Sequence, residues 1–384
     1  MNFDIIKDYA KGAYSLDAGN GCTRYVTEHK TSADFEALVS LCLANGGEVA
    51  QRRAVGENLF ATVRFPEGDA VISYFNYNHT LCIITDTLEG RVAPTLKKGE
   101  FEKLTSPKIT FFDLRCPEAV AAGNGMGYIF TLSDGSYVIY DGGYHGDGEY
   151  LVKFLEDNNV RDEKPRVAAW ILTHSHGDHY FAMQHVAANL AHRITVEEFV
   201  VSVRTTVYEH EQYEPYLNEY FAKDALPKFE GAKLVKPHTG QMLCYRDAEI
   251  EILSTQEEIL PSHFRWLNET SIISRVFLGG QSIFMPADSE LGVEVMLPTM
   301  YGDTLKSDFI QQAHHAFTGG SYTLYDLVRP RVAFWNCNGE TWQKYCHHNY
   351  NNGYNYYLKN MVRENYHHGM GDITLELPYM VEST

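Results

Sequence analysis

The 384-residue chain reads as an α+β protein in which two β-sheets lie between helical layers, preceded by a small α+β module. Three observations predict this. From about residue 106 onward, apolar runs of strand length alternate with segments of helical periodicity. Residues 1–105 have a different texture, one amphipathic helix followed by a meander of short strands. Between them lies Glu89–Lys108, rich in charge, Gly and Pro, which has the composition of a connection. A chain of this length has room for two domains, and the expected division is 1–105 and 106–384.

In the module, Ser32–Ala44 carries Phe35, Leu38, Val39 and Leu43 at helical spacing. Thr31 or Ser32 can cap its start, and Asn45-Gly46-Gly47 ends it. Strands are expected at Asn58–Phe65, Ala70–Tyr77 and Leu81–Asp86, joined by hairpin turns at Pro66-Glu67-Gly68-Asp69 and Asn78-His79. The module suits a substrate lid, a dimer contact or a structural cap equally well.

The larger region opens with a strand at Lys108–Leu114. Gly127–Leu132 and Ser136–Asp141 form a strand pair around Ser133-Asp134-Gly135. Asp147–Asp157 is a helix with Tyr150, Leu151, Phe154 and Leu155 at helical spacing, and Pro165–Thr173 is a buried strand. A helix at His179–Leu190, a strand at Phe199–Val203 and a helix at Glu211–Lys223 follow. Further strands are expected at Ile272–Leu278, Ser282–Asp288, Ile310–His315, Pro330–Asn336 and Gly371–Leu377, with a helix at Asn352–Arg363.

Composition narrows the function. No apolar run approaches the roughly 18 residues of a membrane span. The N-terminus, beginning Met1-Asn2-Phe3-Asp4, has no basic region and no long apolar stretch, so the expectation is a cytoplasmic protein without a membrane partner. Seven scattered cysteines, none in a C-x-x-C pair, suit reduced thiols. Cys337 and Cys346 lie near His347 and His348, but at a spacing unlike a zinc knuckle. A net charge of -18 disfavours a nucleic-acid partner, whose backbone calls for a basic surface.

The chemistry concentrates at residues 171–180, Ile-Leu-Thr-His-Ser-His-Gly-Asp-His-Tyr. His174, His176, Asp178 and His179 form H-x-H-x-D-H straight after the apolar run Val167–Leu172. His174 and His176 stand two apart, so in an extended segment both imidazoles point the same way. Asp178 and His179 follow at the turn into a helix and can face a second ion beside the first. Imidazole and carboxylate together suit Zn, Mn or Fe(II). A polar loop with three unrelated histidines would not come framed by a buried strand and a helix.

This motif resembles the signature of the metallo-β-lactamase fold family of hydrolases, and the rest of 109–380 extends the resemblance. Asp141-Gly142-Gly143 looks like the family's turn before its first helix, and the resemblance implies that Asp141 buttresses the histidine loop. Ser282–Asp288 looks like the strand ending in Gly-Asp, with Ala287 in place of glycine. It implies that Asp288 bridges two metals. Ile310–His315 resembles the strand delivering the last histidine, with Ala316 where close relatives have glycine. His314 is the expected ligand and His315 the alternative, since neighbours on a strand face opposite ways. The third ligand of the first metal site is His238, His263 or absent.

Asn268-Glu269-Thr270-Ser271 and the His314-His315 pair are similar to the branch holding DNA-uptake competence proteins and phosphocholine esterases. The resemblance implies a four-layer αββα sandwich and two divalent ions, zinc first, with manganese or iron as alternatives. The implied reaction is attack by a metal-activated hydroxide on a phosphoester or phosphodiester of a small molecule or glycan, an anionic substrate. Carboxylic ester, lactone or amide hydrolysis, and a non-catalytic metal-binding sensor or scaffold, are the alternatives. Asp178 would orient the hydroxide, and Tyr180 and His315 are candidate leaving-group donors, beside the late histidines His347, His348, His367 and His368. The late tyrosines, with Trp335, Trp342 and Asn336, suit a structural layer, part of which could line a pocket.

Overall fold

The computed structural model describes residues 3–202, 221–259, 267–290 and 292–381. The first sheet contains β1 (Tyr14–Gly19), β2 (Cys22–Thr27), β3 (Glu48–Val55), β4 (Asn58–Phe65), β5 (Gly68–Phe75) and β6 (Thr80–Asp86), in the order β1-β2-β6-β5-β4-β3. Two helices, α1 (Phe3–Tyr9) and α2 (Ser32–Ala44), cover one face. Helix α2 opens with a capping box. The Thr31 hydroxyl accepts from the Asp34 amide, and the Asp34 carboxylate accepts from the Thr31 amide at 2.8 Å. Phe35, Leu38, Val39 and Cys42 pack on Ala61, Val63, Ile72 and Leu81. Cys42 takes the place expected for Leu43, which is exposed, because the stripe continues at i+7 rather than i+8. Strands β1, β2 and β3 and helix α1 escaped the sequence reading. All three strands carry few apolar residues in alternation, and β1 and β3 are edges.

Every residue of β5 is buried, because the sheet's other face docks on the rest of the chain. Phe60, Phe75 and Cys82 join the apolar cluster of Leu253, Phe284 and Leu297. Polar ties surround this contact. Asn58 donates to the Met300 carbonyl at 2.7 Å, and Gln51 donates to the carbonyls of Leu96 and Met242.

The remainder holds two sheets. One is built from β7 (Lys108–Phe111), β8 (Gly127–Thr131), β9 (Tyr137–Asp141), β10 (Arg166–Leu172), β11 (Thr195–Val196), β12 (Glu198–Val201) and β13 (Lys233–Val235). The other is built from β14 (Met242–Tyr245), β15 (Ala248–Ser254), β16 (Ile273–Leu278), β17 (Gln281–Met285), β18 (Phe309–Gln312), β19 (Val332–Asn338) and β20 (Glu364–His368), paired in sequence order. The last strand, β21 (Ile373–Glu376), returns to pair with β7. Side chains alternate along β10. Trp170 and Leu172 point to an outer helical layer with α3 (Asp147–Asp157) and α4 (Gly177–His185), while Ala169 and Ile171 point to the facing sheet. On the far side, α5 (Tyr322–Val328) and α6 (Tyr354–Met361) cover the second of these sheets. The result is the four-layer αββα sandwich of the metallo-β-lactamase fold.

The expected elements from β7 to β21 recur within a few residues at each end. The hairpin β14–β15 and strands β11, β13 and β20 are additions. Of the expected helix Glu211–Lys223, positions 211–220 lie outside the described residues, as does Val203; Phe221–Ala225 is helical. Residues 313–316 are not strand, as treated below. Among the described residues, no helix is long and apolar enough to cross a membrane.

Candidate metal centre

Strand direction explains why distant residues meet. Strands β9 and β10 run parallel, so Asp141 and the 173–179 loop leave the same edge of their sheet. Strands β17, β18 and β19 also run parallel, so Asp288, His315 and Asn336 leave the same edge of theirs. Ligands gather at such carboxyl ends.

Asp141 is fully buried and sits in the left-handed region at φ 54°. Its carboxylate accepts from the Thr173 amide at 2.8 Å, the Thr173 hydroxyl at 2.7 Å and His179 Nδ1 at 2.7 Å. With its Nδ1 proton directed at Asp141, His179 turns Nε2 inward toward Asp288. The Thr173 hydroxyl also lies 3.2 Å from His174 Nδ1, which leaves His174 Nε2 facing the same centre. His176 presents Nδ1, 3.1 Å from that atom. His315 gives its Nδ1 proton to the Asn336 carbonyl at 2.9 Å, so it too presents Nε2.

Asp288 stands in the middle. Its Oδ2 is 2.9 Å from His315 Nε2, 3.2 Å from His179 Nε2 and 4.0 Å from His174 Nε2. Its Oδ1 is buried without a hydrogen-bond partner. Asp178 Oδ2 lies 3.0 Å from His315 Nε2 and 3.9 Å from His179 Nε2. Two donor triads result, His174–His179–Asp288 and Asp178–His179–His315, each with its ligand atoms within 4.8 Å of one another. Buried carboxylates call for a compensating positive charge, from protons on the facing imidazoles or from a bound cation, and the donor set fits divalent zinc, iron or manganese.

The charges are tightly coupled. Burial lowers the pKa of His179, but Asp288, Asp178 and Asp141 outweigh it and hold the ring well above its ordinary value. His315 is likewise raised, to about 10, with burial outweighed by Asp288 and Asp178. His174 goes the other way, far down, through burial and then its neighbours His179 and His176. Asp178 and Asp288 are held below the usual carboxylate range, their burial outweighed by His179 and His315.

The structure brings His174, His176, Asp178, His179 and Asp288 together. It reverses the order of the last pair. Strand β18 ends at Gln312, and His314, His315 and Ala316 all adopt left-handed backbone, at φ 45°, 51° and 69°. Strand alternation therefore does not apply, and His315 enters the cluster. His314 turns to Glu290 at 2.8 Å, Thr318 at 2.7 Å and Asn268 at 3.1 Å. Three successive left-handed residues cost of order 1–3 kcal/mol each. Buried amides clamp the turn: Gln312 accepts from the Ala316 amide, and Asn355 donates to the Ala316 carbonyl, both at 2.6 Å. Ala287 and Ala316, standing where glycine was expected, both have positive φ.

Other expectations change as well. His238 lies outside the cluster, bound to Asp86 and Glu257 beside the N-terminal sheet. His263 lies outside the described residues. Tyr180 packs in the outer apolar layer, and its hydroxyl accepts from Gln184 at 3.2 Å. His315 directs Nδ1 to the Asn336 carbonyl and Nε2 to Asp178 and Asp288. His368 stacks on Phe111 and binds the Gly125 carbonyl, while His367 packs on Trp342. His347 and His348 pack on each other. Trp335 and Asn336 are fully buried, and Cys337 and Cys346 lie buried in an apolar cluster.

Two residues were missed. Asn124 donates to Asp178 Oδ2 at 3.0 Å, and Tyr144 donates to Asn124 Oδ1 at 3.0 Å. Burial, then Asp178, raises the Tyr144 phenol above its ordinary pKa, so it stays a donor. Tyr144 follows directly on Asp141-Gly142-Gly143, which was a usable signal; Asn124 had none.

Residues 122–247 match the family model described as the Metallo-beta-lactamase superfamily. That span holds Asp141 and the histidine loop; Asp288 and His315 fall beyond it. No curated protein sequence matches the chain. Solved structures with similarity include the metallo-beta-lactamase fold protein YhfI from Bacillus subtilis, 14% identical, with 71% of this chain and 100% of that chain covered and a TM-score of 0.41. Zn(2+)-bound PqqB from Methylobacterium extorquens is 11% identical, covering 70% of this chain and 100% of that one, with a TM-score of 0.45. The diiron β-hydroxylase CmlA from Streptomyces venezuelae is 13% identical, with 71% of this chain covered and a TM-score of 0.41, and the chain spans only 55% of that protein.

Proposed function

We propose that this chain is a metal-dependent hydrolase acting on a phosphoester or phosphodiester of a small molecule or glycan. One observation carries the reading: four imidazole nitrogens and two carboxylates, from both sheets, face a single centre around Asp288 Oδ2. In this reading His174, His176, Asp178, His179, Asp288 and His315 would hold the ions. Divalent ions bound there supply an activated water at neutral pH and a Lewis acid for the scissile bond.

The chain's own groups do the rest. Asn124 donates to Asp178 Oδ2, which would hold the carboxylate in place to ligate an ion and orient its bound water. Tyr144 keeps Asn124 in register through its phenol hydrogen bond. Phe317, edge-on to both His314 and His315 and backed by Tyr345, offers an apolar wall for an organic substituent. Two divalent ions exceed the charge of the two carboxylates, which favours an anionic group such as a phosphoester. The resemblance at Asn268–Ser271 and His314-His315 supports the same substrate class.

The test compares bis-p-nitrophenyl phosphate with p-nitrophenyl acetate, using protein loaded with zinc or manganese. The expected result is turnover of the phosphodiester that chelation abolishes and metal restores. Turnover of the acetate alone would move the reading to carboxylic esters, and no chelator-sensitive turnover of either would overturn it.

A further inference from the structure

A second cluster of metal-ligand type lies where the N-terminal sheet meets the sandwich. Cys22 on β2, Asp86 at the end of β6 and His238 in the loop before β14 are each 1% exposed. One ligand atom from each lies within 4.8 Å of the others. His238 Nε2 is 3.1 Å from Asp86 Oδ2, close to the roughly 3.3 Å edge of a tetrahedron with zinc–nitrogen and zinc–oxygen bonds of about 2.0–2.1 Å. His238 Nδ1 is buried without a hydrogen-bond partner, 3.5 Å from Glu257 Oε1.

Two cations surround this cluster, and their placement matters. Lys236 Nζ lies 3.4 Å from Cys22 Sγ and 2.9 Å from Glu257, and Arg91 Nη2 lies 3.8 Å from Cys22 Sγ and 2.7 Å from Asp86 Oδ1. Two cationic donors directed at one sulfur complement the charge of a metal-bound thiolate.

We propose that Cys22, Asp86 and His238 form a structural zinc site that fastens the N-terminal sheet to the sandwich. Thiolate and imidazole select a soft divalent ion over calcium or magnesium. The site differs from the central cluster in kind, since no cysteine is among the residues that meet around Asp288.

Cobalt substitution separates the two centres. A thiolate ligand gives cobalt(II) an intense near-ultraviolet charge-transfer band, which imidazoles and carboxylates cannot produce. The full chain loaded with cobalt is expected to show this band. His179→Ala, aimed at the central cluster, is expected to keep it, while Cys22→Ser and His238→Gln each lose it together with one metal equivalent per chain. Loss of phosphodiester turnover in His179→Ala with the band retained would show that the two centres are independent. A folded, cobalt-binding full chain without the band would overturn the proposal and leave a purely ionic lock of Asp86, Arg91, Lys236 and Glu257. That result needs no variant, so a substitution that fails to fold does not obscure it.

Discussion

Asp141→Asn should weaken metal binding at the central cluster while leaving the fold intact. The carboxylate accepts three hydrogen bonds, two from Thr173 and one from His179 Nδ1. Asparagine tolerates the left-handed backbone at φ 54°, so the main chain need not move. Its amide keeps one acceptor oxygen, which can stay with the Thr173 amide. The NH2 then faces the Thr173 hydroxyl, which can rotate to accept, and His179 Nδ1–H, which cannot. His179 must shift its proton to Nε2, the atom that looks onto Asp288 at 3.2 Å. Holding the metal-binding tautomer then costs about one charge-assisted hydrogen bond, about 1.5–3 kcal/mol. At 1.4 kcal/mol per factor of ten this is about a 10–100-fold loss of affinity. Outer partners of metal-bound histidines lose a similar amount. The assay is competition against a chelator of known affinity. Asp247→Asn is the control, because Asp247 binds the Ser133 amide at 3.0 Å and has no contact with the cluster. Unchanged affinity in Asp141→Asn, or an equal loss in Asp247→Asn, would refute the reasoning.

Four further outcomes follow from the same geometry. His315→Ala should lose one metal equivalent and at least about 100-fold in kcat, whereas His314→Ala should keep its metal and lose less than about tenfold; elemental analysis with steady-state kinetics reads both. Asn124→Ala should weaken metal binding by about tenfold and Tyr144→Phe by less, since each acts on Asp178 at one further remove; chelator competition on both variants orders them. Asn355→Ala removes a clamp on the 314–316 turn and should cost about 1–3 kcal/mol in denaturant unfolding, with metal affinity falling alongside. Asp134 titrates below the usual range, its burial outweighed by Ser136 and Arg246. Its stabilisation is therefore complete above the unfolded pKa of about 3.9 and is lost as pH falls through the lower folded value. Asp134→Asn should be less stable at neutral pH and should flatten the acid limb of the stability curve.

Legibility in the sequence tracked the locality of the interaction. His174, His176, Asp178 and His179 lie within six residues on a strand end and a helix start, so spacing alone groups them. Helix α3 was readable over its whole length because its apolar stripe and the Gly-rich turn before it agree. The N-terminal edge strands were not, since an edge strand owes its order to a neighbour and shows little apolar alternation of its own. His238 illustrates the other limit. A histidine at a plausible distance along the chain looked like a ligand for the central site, yet the fold carries it to Asp86, a residue 152 positions away.

The sequence by itself marked the alternation of strands and helices and the histidine loop, because periodicity and short-range spacing are properties of neighbouring residues; Asp141 and Asp288 joined that loop only through the family resemblance. Only the tertiary structure decided that His315 and not His314 turns inward, that Asn124 and Tyr144 stand behind Asp178, and that Cys22, Asp86 and His238 share a buried corner. Those outcomes depend on backbone handedness at single residues and on which strand ends lie side by side, and both are fixed by packing across the whole molecule.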